Sequence, residues 1–313
     1  MLSTAYGCCA RLVALPVWRG SLAVRSTRAQ PQGEAHAETQ LARRVRERCG
    51  HRRPLLPWRG RPPLPLRGQR APSLTGALPL VFLHGGDPNP GWLQYHQALA
   101  EQFSVYAPSH PGFGHTPGLA WIATVADMAL FYLWFLDAVG LTRTHLVGHD
   151  IGGWLAADMA TACPHVVDRL VLVNAMGLKP QHSEIHDIFL ITPDEVWSRS
   201  FFDTTRVPAW QQLYGQPPTP EAADRAEEAL ETLVRLCWKP YMHELRLPCL
   251  LPRITQPTLI VWGREDAITP LECGELYQKF ISGSRLAVLD ACGHCPQLEQ
   301  PQAFANVVRS FLR

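Results

Sequence analysis

Three short motifs place groups able to do nucleophilic and acid–base chemistry just beyond apolar segments. Gly148-His149-Asp150-Ile151-Gly152-Gly153 follows the apolar run Thr144 to Val147 and opens a small-residue stretch, Gly152 to Ala162, that reads as a helix. A sharp strand-to-helix turn exposes the side chain at its apex, and glycine at Gly148 and Gly152 removes Cβ atoms that would clash there. The helix N-terminus adds N–H groups and partial positive charge beneath the apex. Gly263-Arg264-Glu265-Asp266 follows the run Thr258 to Trp262, and Gly293-His294 follows Arg285 to Leu289. A carboxylate, a second carboxylate and a histidine at successive strand ends suit covalent catalysis, as nucleophile Asp150, orienting acid Asp266 and base His294. His84-Gly85-Gly86 ends another apolar run, Leu78 to Leu83. The backbone N–H groups of Gly86 and Ile151 are the natural oxyanion donors.

Simpler roles compete at each position. Asp150 could be an ordinary helix N-cap. Asp266 could be a loop acid beside Glu265, and His294 is one of 13 histidines. Their joint order, each past a strand end, favours catalysis, because ligands of such sheets bind outside the strand C-termini. Cys292-Gly293-His294-Cys295 contains the C-x-x-C spacing but no second ligand pair, so neither metal nor redox chemistry is expected of it.

The elements that must position these groups alternate. Strands are expected at Leu78–Leu83, Phe103–Pro108, Thr144–Val147, Leu170–Asn174, Thr258–Trp262 and Arg285–Leu289. Helices are expected between them, with an amphipathic one closing the chain over Ala303 to Leu312. Continuous apolar strands between helices indicate an α/β class with a mostly parallel sheet covered on both faces. Residues 178–252 break the alternation, and an insertion of that size reads as a helical lid. Within it, Pro218 to Cys237 reads as a solvated helix with acids near its start.

Charge divides the 313 residues in two. Residues 1–75 hold fourteen arginines, no lysine and three acids (Glu34, Glu38, Glu47), a net of +11, while the remainder holds 15 basic and 24 acidic residues, a net of −9. The first segment is read as an Arg- and Pro-rich disordered extension, and residues 76–313 as the catalytic domain. A transit peptide competes, since residues 1–30 contain no acid. A secretory signal or a nucleic-acid arm fits less well. The acidic body gives no case for nucleic acid, and no apolar run approaches the roughly 20 residues a membrane span needs. A cytoplasmic location is expected, with an N-terminal targeting segment as the alternative.

The combination of His84-Gly85, Pro111-Gly112-Phe113-Gly114, Gly148-His149-Asp150-Ile151-Gly152-Gly153, Gly263-x-x-Asp266 and Gly293-His294 resembles the α/β-hydrolase superfamily over residues 78–313. Gly-His-Asp-x-Gly-Gly is similar to epoxide hydrolases and dehalogenases, which the resemblance implies attack a saturated carbon with a carboxylate. The dehalogenase halide ligands are replaced here by Gly86 and Ile151. The His-Gly-x-Pro of epoxide hydrolases is shifted, with Asp87 before Pro88. Epoxide hydrolases also use lid tyrosines to protonate the opening ring, for which Tyr214 and Tyr241 are the candidates. Ser109 to Gly114 and Pro257 to Gly263 look like serine members that cleave esters or carbon–carbon bonds.

An aspartate attacking a carbonyl gives a reactive anhydride, whereas attack on an epoxide or carbon–halogen bond gives a stable alkyl ester. The expected function is therefore a cofactor- and metal-independent hydrolase with an Asp150–His294–Asp266 triad, acting on a small apolar, epoxide-like molecule. Two alternatives stay open: an esterase or C–C bond hydrolase relative with aspartate in place of serine, and a non-catalytic binding protein that keeps the pocket.

Overall fold

The computed structural model describes residues 68–71, 78–86 and 91–313. Apart from Gly68–Ala71, the readings of residues 1–75 fall outside the described residues, as do Asp87 and Pro88. The described strands are β1 (Gly68–Ala71), β2 (Leu80–Leu83), β3 (Val105–Pro108), β4 (Thr144–His149), β5 (Val167–Val173), β6 (Thr258–Gly263) and β7 (Arg285–Leu289). They form one sheet in the order β1-β3-β2-β4-β5-β6-β7. Every neighbouring pair is parallel except β1 with β3, which is antiparallel. β1 corrects the expected boundary at residue 76, because the sheet recruits Gly68–Ala71 from the segment read as an extension. A four-residue edge strand, Gly-Gln-Arg-Ala, needs only backbone pairing and shows no hydrophobic alternation to read.

The helices follow in chain order: α1 (Gln94–Ala100), α2 (Val125–Ala138), α3 (Ile151–Ala162), then α4 (Pro193–Ser200), α5 (Trp210–Tyr214), α6 (Pro220–Cys237) and α7 (Leu247–Leu250) between β5 and β6, and finally α8 (Leu271–Phe280), α9 (Pro296–Glu299) and α10 (Pro301–Leu312). Successive strand residues point to opposite faces, and both faces are apolar. Val81, Leu83, Leu146, Leu172 and Ile260 pack with Met128 and Phe131 of α2, Leu155 of α3 and Tyr277 of α8. Leu80, Phe82, Val147, Val171 and Val261 pack on the other side with Leu99 of α1 and Phe304 and Val308 of α10. Each fully buried side chain of this size contributes about 1.5–3 kcal/mol. The start of α2 is set by a capping box in which Thr124 Oγ1 accepts the Asp127 N–H and Asp127 accepts the Thr124 N–H.

The regular structure between β5 and β6 is helical apart from one isolated bridge, Gly177 to His243. The Gly177 N–H donates to the Met242 carbonyl and the Glu244 N–H to the Gly177 carbonyl, both at 3.0 Å, so the two ends of the insertion are tied together at the sheet edge. α6 differs from the solvated helix expected of it. Ala229, Thr232, Leu233, Leu236 and Cys237 form a buried stripe at helical spacing. Small and weakly apolar residues make up much of that stripe, which is why the charged residues around it dominate the sequence pattern.

Candidate active site

Asp150 occupies the turn between β4 and α3 with φ 56° and ψ −123°. A non-glycine residue in this region costs about 1–3 kcal/mol and persists where its surroundings enforce it. They do so here. A Cβ on Gly148 would lie 2.1 Å from the Gly152 carbonyl oxygen, and one on Gly152 would lie 2.3 Å from the carbonyl oxygens of both Leu83 and His84. The Asp150 N–H donates to the Val173 carbonyl, and its own carbonyl accepts from Gly153, Trp154 and Met176.

The N-cap role for Asp150 is not what its side chain performs. It sits at the N-cap position of α3 without a capping hydrogen bond. Its Oδ2 instead accepts the Gly86 N–H at 2.7 Å, while Oδ1 is buried with no hydrogen-bond partner. His294, in the loop between β7 and α9, brings Nε2 to 3.6 Å from Oδ1. That is a charge contact beyond hydrogen-bond range.

The rest of the constellation is closely held. His294 Nδ1 lies 2.8 Å from Asp266 Oδ2. Asp266 Oδ2 also accepts from Asn174 Nδ2 at 2.7 Å, and Oδ1 accepts the N–H groups of Ile268 and Thr269. All four bonds come from fixed donors, so the Asp266 carboxylate cannot rotate away from the histidine. The backbone of His294 is clamped too. Its carbonyl accepts from His149 Nε2 at 2.9 Å, and its N–H donates to the Ser200 carbonyl at 2.8 Å.

Burial alone would raise the Asp150 pKa. The close contact and charge of His294, with His149 and the Gly86 N–H, outweigh it and hold the carboxyl below its ordinary value. Burial alone would lower the His294 pKa, but Asp266 and Asp150 on its two sides raise it well above the ordinary value. Burial pushes His149 down to about 4, so it stays neutral as a donor to the His294 carbonyl. Asp150 and His294 thus favour each other's charged form.

α6 roofs the site. A Cβ on Gly86 would meet Leu233 Cδ2 at 2.8 Å, and one on Gly112 would meet Thr232 Oγ1 at 2.4 Å. Ile151 is buried at the start of α3, but among the described residues only Gly86 of the two expected donors bonds the Asp150 carboxylate. The two lid tyrosines have partners within the insertion. The Tyr241 hydroxyl donates to the His186 carbonyl at 2.7 Å and accepts the Ile188 N–H at 2.9 Å. Tyr214 packs tilted or edge-on in an aromatic cluster with Trp197, Phe201 and Trp210.

Two groups escaped the sequence reading. Asn174 follows β5 directly, a strand-end position like those of Asp150, Asp266 and His294, and that placement was the available signal. Glu299 accepts the Gly293 N–H at 2.7 Å and the Phe202 N–H at 2.8 Å, joining the histidine loop to the insertion. Nothing in its sequence context marks it. Cys292 and Cys295 are buried and in no disulfide, and among the described residues no group of histidine, cysteine and acid side chains is disposed to hold a metal ion.

A nucleophile elbow, an acid and a histidine on a parallel sheet define a hydrolase class of α/β architecture. Residues 80–307 match the alpha/beta hydrolase family, and the chain belongs to it as a hydrolase. It is similar to 2-hydroxy-6-oxo-2,4-heptadienoate hydrolase of Pseudomonas putida, with 29% identity over 267 residues, 75% of this chain and 88% of that protein. The 2-hydroxy-6-oxo-6-phenylhexa-2,4-dienoate hydrolase of Comamonas testosteroni is 26% identical over 258 residues, 75% of this chain and 87% of that protein. The solved structure of a meta-cleavage product hydrolase from Pseudomonas fluorescens matches with TM-score 0.67 at 23% identity, over 79% of this chain and 93% of that one, which shows the common fold.

Proposed function

We propose that the chain hydrolyses small apolar molecules bearing an electrophilic saturated carbon, epoxides first among them, through a covalent ester on Asp150. The observation that supports this most directly is the division of labour within one carboxylate, with Oδ2 on the Gly86 N–H and Oδ1 buried and without a hydrogen bond. Oδ1 attacks the carbon and the carbon–oxygen bond of the epoxide breaks, leaving an alkoxide that takes up a proton. The ester carbonyl is then Oδ2, already polarised by Gly86. His294, oriented by Asp266, removes a proton from water as the water adds to the Asp150 carboxyl carbon. The oxyanion forms on Oδ2, and its collapse expels the alcohol and restores the carboxylate.

Charge times the two steps. Esterification neutralises Asp150 and removes one of the two carboxylates that keep His294 protonated, so the histidine becomes a base once the ester exists. In ring opening the alkoxide needs a proton. Tyr241 supplies it by exchanging its bond to the His186 carbonyl for one to the substrate oxygen, and the phenolate regains the proton that His294 gives up once Asp150 is esterified. α6, with Leu233 and Cys237, acts as the lid that excludes water from the nucleophile.

The named relatives favour a second reading, cleavage of an ester or a C–C bond flanked by a carbonyl. Turnover of an aryl epoxide in heavy-oxygen water separates the two. Label entering Asp150 over repeated cycles, followed by peptide mass spectrometry, supports the alkyl-ester route. No turnover, together with ester hydrolysis gained in Asp150→Ser, assigns the chain to the second reading. Inactivity of both proteins leaves the fold as a binding scaffold.

A further inference from the structure

The Gly86 N–H belongs to the peptide whose carbonyl is that of Gly85. A trans peptide is planar, with its C=O and N–H pointing in opposite directions. Whatever fixes the Gly85 carbonyl therefore aims the Gly86 N–H. That carbonyl accepts from His84 Nδ1 at 2.6 Å. The His84 ring is itself held, since its Nε2 accepts the His110 N–H at 2.9 Å and the His110 ring stacks on it with centroids 3.8 Å apart. His110 Nε2 donates to the His84 carbonyl at 2.9 Å, and His110 Nδ1 lies 2.7 Å from the Tyr132 hydroxyl, which comes from α2.

From this geometry we infer that Tyr132 and His110 are positioning residues that, through His84, set the direction of the N–H donor facing Asp150 Oδ2. The inference rests on the reading that this donor holds the reaction's oxyanion. The partners allow each ring one neutral tautomer. His84 must carry its proton on Nδ1, because Gly85 offers an acceptor and His110 a donor. His110 must carry its proton on Nε2, because the His84 carbonyl is an acceptor, which leaves Nδ1 to receive the Tyr132 proton. The proton order thus runs one way, from Tyr132 through both rings to the Gly85 carbonyl.

The surroundings keep it so. Burial holds His84 well below the ordinary histidine value and His110 at about 4, and burial also keeps the Tyr132 hydroxyl protonated. All three side chains are buried. Gly85 itself packs tightly against the site, since a Cβ there would lie 2.8 Å from His149 Nδ1 and 3.0 Å from Asp150 Oδ2. An oxyanion donor contributes through direction more than through mere presence, and losing one costs about a hundredfold or more in rate.

The test uses the full chain labelled with nitrogen-15, in which histidine tautomers and the Gly86 amide proton are read by NMR, with turnover of an aryl epoxide measured in parallel. The wild type should show His84 protonated on Nδ1 and His110 on Nε2. Tyr132→Phe should move the Gly86 amide proton upfield and lower kcat about tenfold with KM unchanged, the pattern of an interaction made in the transition state. His110→Gln keeps a donor at the Nε2 position but cannot report the Tyr132 proton, so it should shift Gly86 in the same direction by a smaller amount. It also serves if the tyrosine variant does not fold. A shifted Gly86 amide in a protein without epoxide turnover supports the positioning role and sinks the proposed substrate. Opposite tautomers in the wild type, or a Gly86 amide unmoved in both variants, overturns the inference and makes the network ordinary core packing.

Discussion

Asp150 and Gly86, 64 residues apart, meet through a single 2.7 Å hydrogen bond that makes the two oxygens of one carboxylate inequivalent. In the proposed ester route Oδ2 rests where the negative charge of the tetrahedral intermediate develops, and Oδ1, which has no hydrogen bond, is left for attack. A serine at this turn has one oxygen and cannot divide itself this way. The arrangement is specific to a carboxylate and makes the site's chemistry open to direct test.

Asp150→Asn should lower epoxide turnover by about 10⁴-fold or more, the scale seen when a nucleophile is deleted from a concerted site. The amide is a poor nucleophile, and turning its NH₂ toward Gly86 sets donor against donor. Steady-state kinetics on protein with an unchanged circular dichroism spectrum checks this. Residual activity within tenfold of wild type removes Asp150 from the mechanism.

His294→Gln should spare the first step and block the second. Intact-mass spectrometry after mixing with an aryl epoxide should then show a stoichiometric adduct, mapping to the peptide that contains Asp150. Unmodified protein alongside a slow, steady release of diol contradicts the assignment of His294 as base.

The ion pair sets the pH behaviour. Asp150 titrates below its ordinary value in the folded chain, so its stabilisation is present above the unfolded value of about 3.9 and is lost as pH falls through the folded pKa. His294 titrates well above its ordinary value, so its share is fully present below about 6.5 and is lost as pH rises through its folded pKa. Asp150→Asn should therefore lower the His294 midpoint, read from its ring resonances, and flatten the unfolding midpoint across the neutral range. A His294 midpoint unmoved by this variant leaves Asp266 as the only group that holds the proton.

Glu299→Ala removes the acceptor shared by the Gly293 and Phe202 N–H groups. Hydrogen exchange should accelerate at both amides together, because one side chain ties the histidine loop to the insertion, and stability should fall by about 1 kcal/mol, chiefly for the part-buried Gly293 donor left unpaired. Faster exchange at only one of the two shows that the segments are held independently.

Gly152→Ala should be far more damaging than Gly140→Ala. The first places a methyl group 2.3 Å from two backbone carbonyl oxygens that cannot move without opening the elbow, while the second meets no atom within 4 Å and bears only the strain of φ +75°. Thermal unfolding should show several kcal/mol for the former and about 1 kcal/mol for the latter.

The sequence alone determined the class of fold and the order of the candidate triad. Both follow from local rules. Strands buried on two faces must be apolar throughout, and a strand–turn–helix tight enough to expose one side chain must carry glycines where Gly148 and Gly152 stand. Tertiary structure decided the rest. It enlisted Gly68–Ala71 as an edge strand through backbone pairing, which leaves no trace in side-chain pattern. It buried one stripe of α6, turned the Tyr241 hydroxyl to the His186 carbonyl, and brought Glu299 across 97 residues to Phe202. Which oxygen of Asp150 is held and which is free depends on where the Gly86 N–H points. Hydrogen bonds have direction, and the directions here are set by segments far apart in the chain, so they exist only once the sheet has brought those segments together.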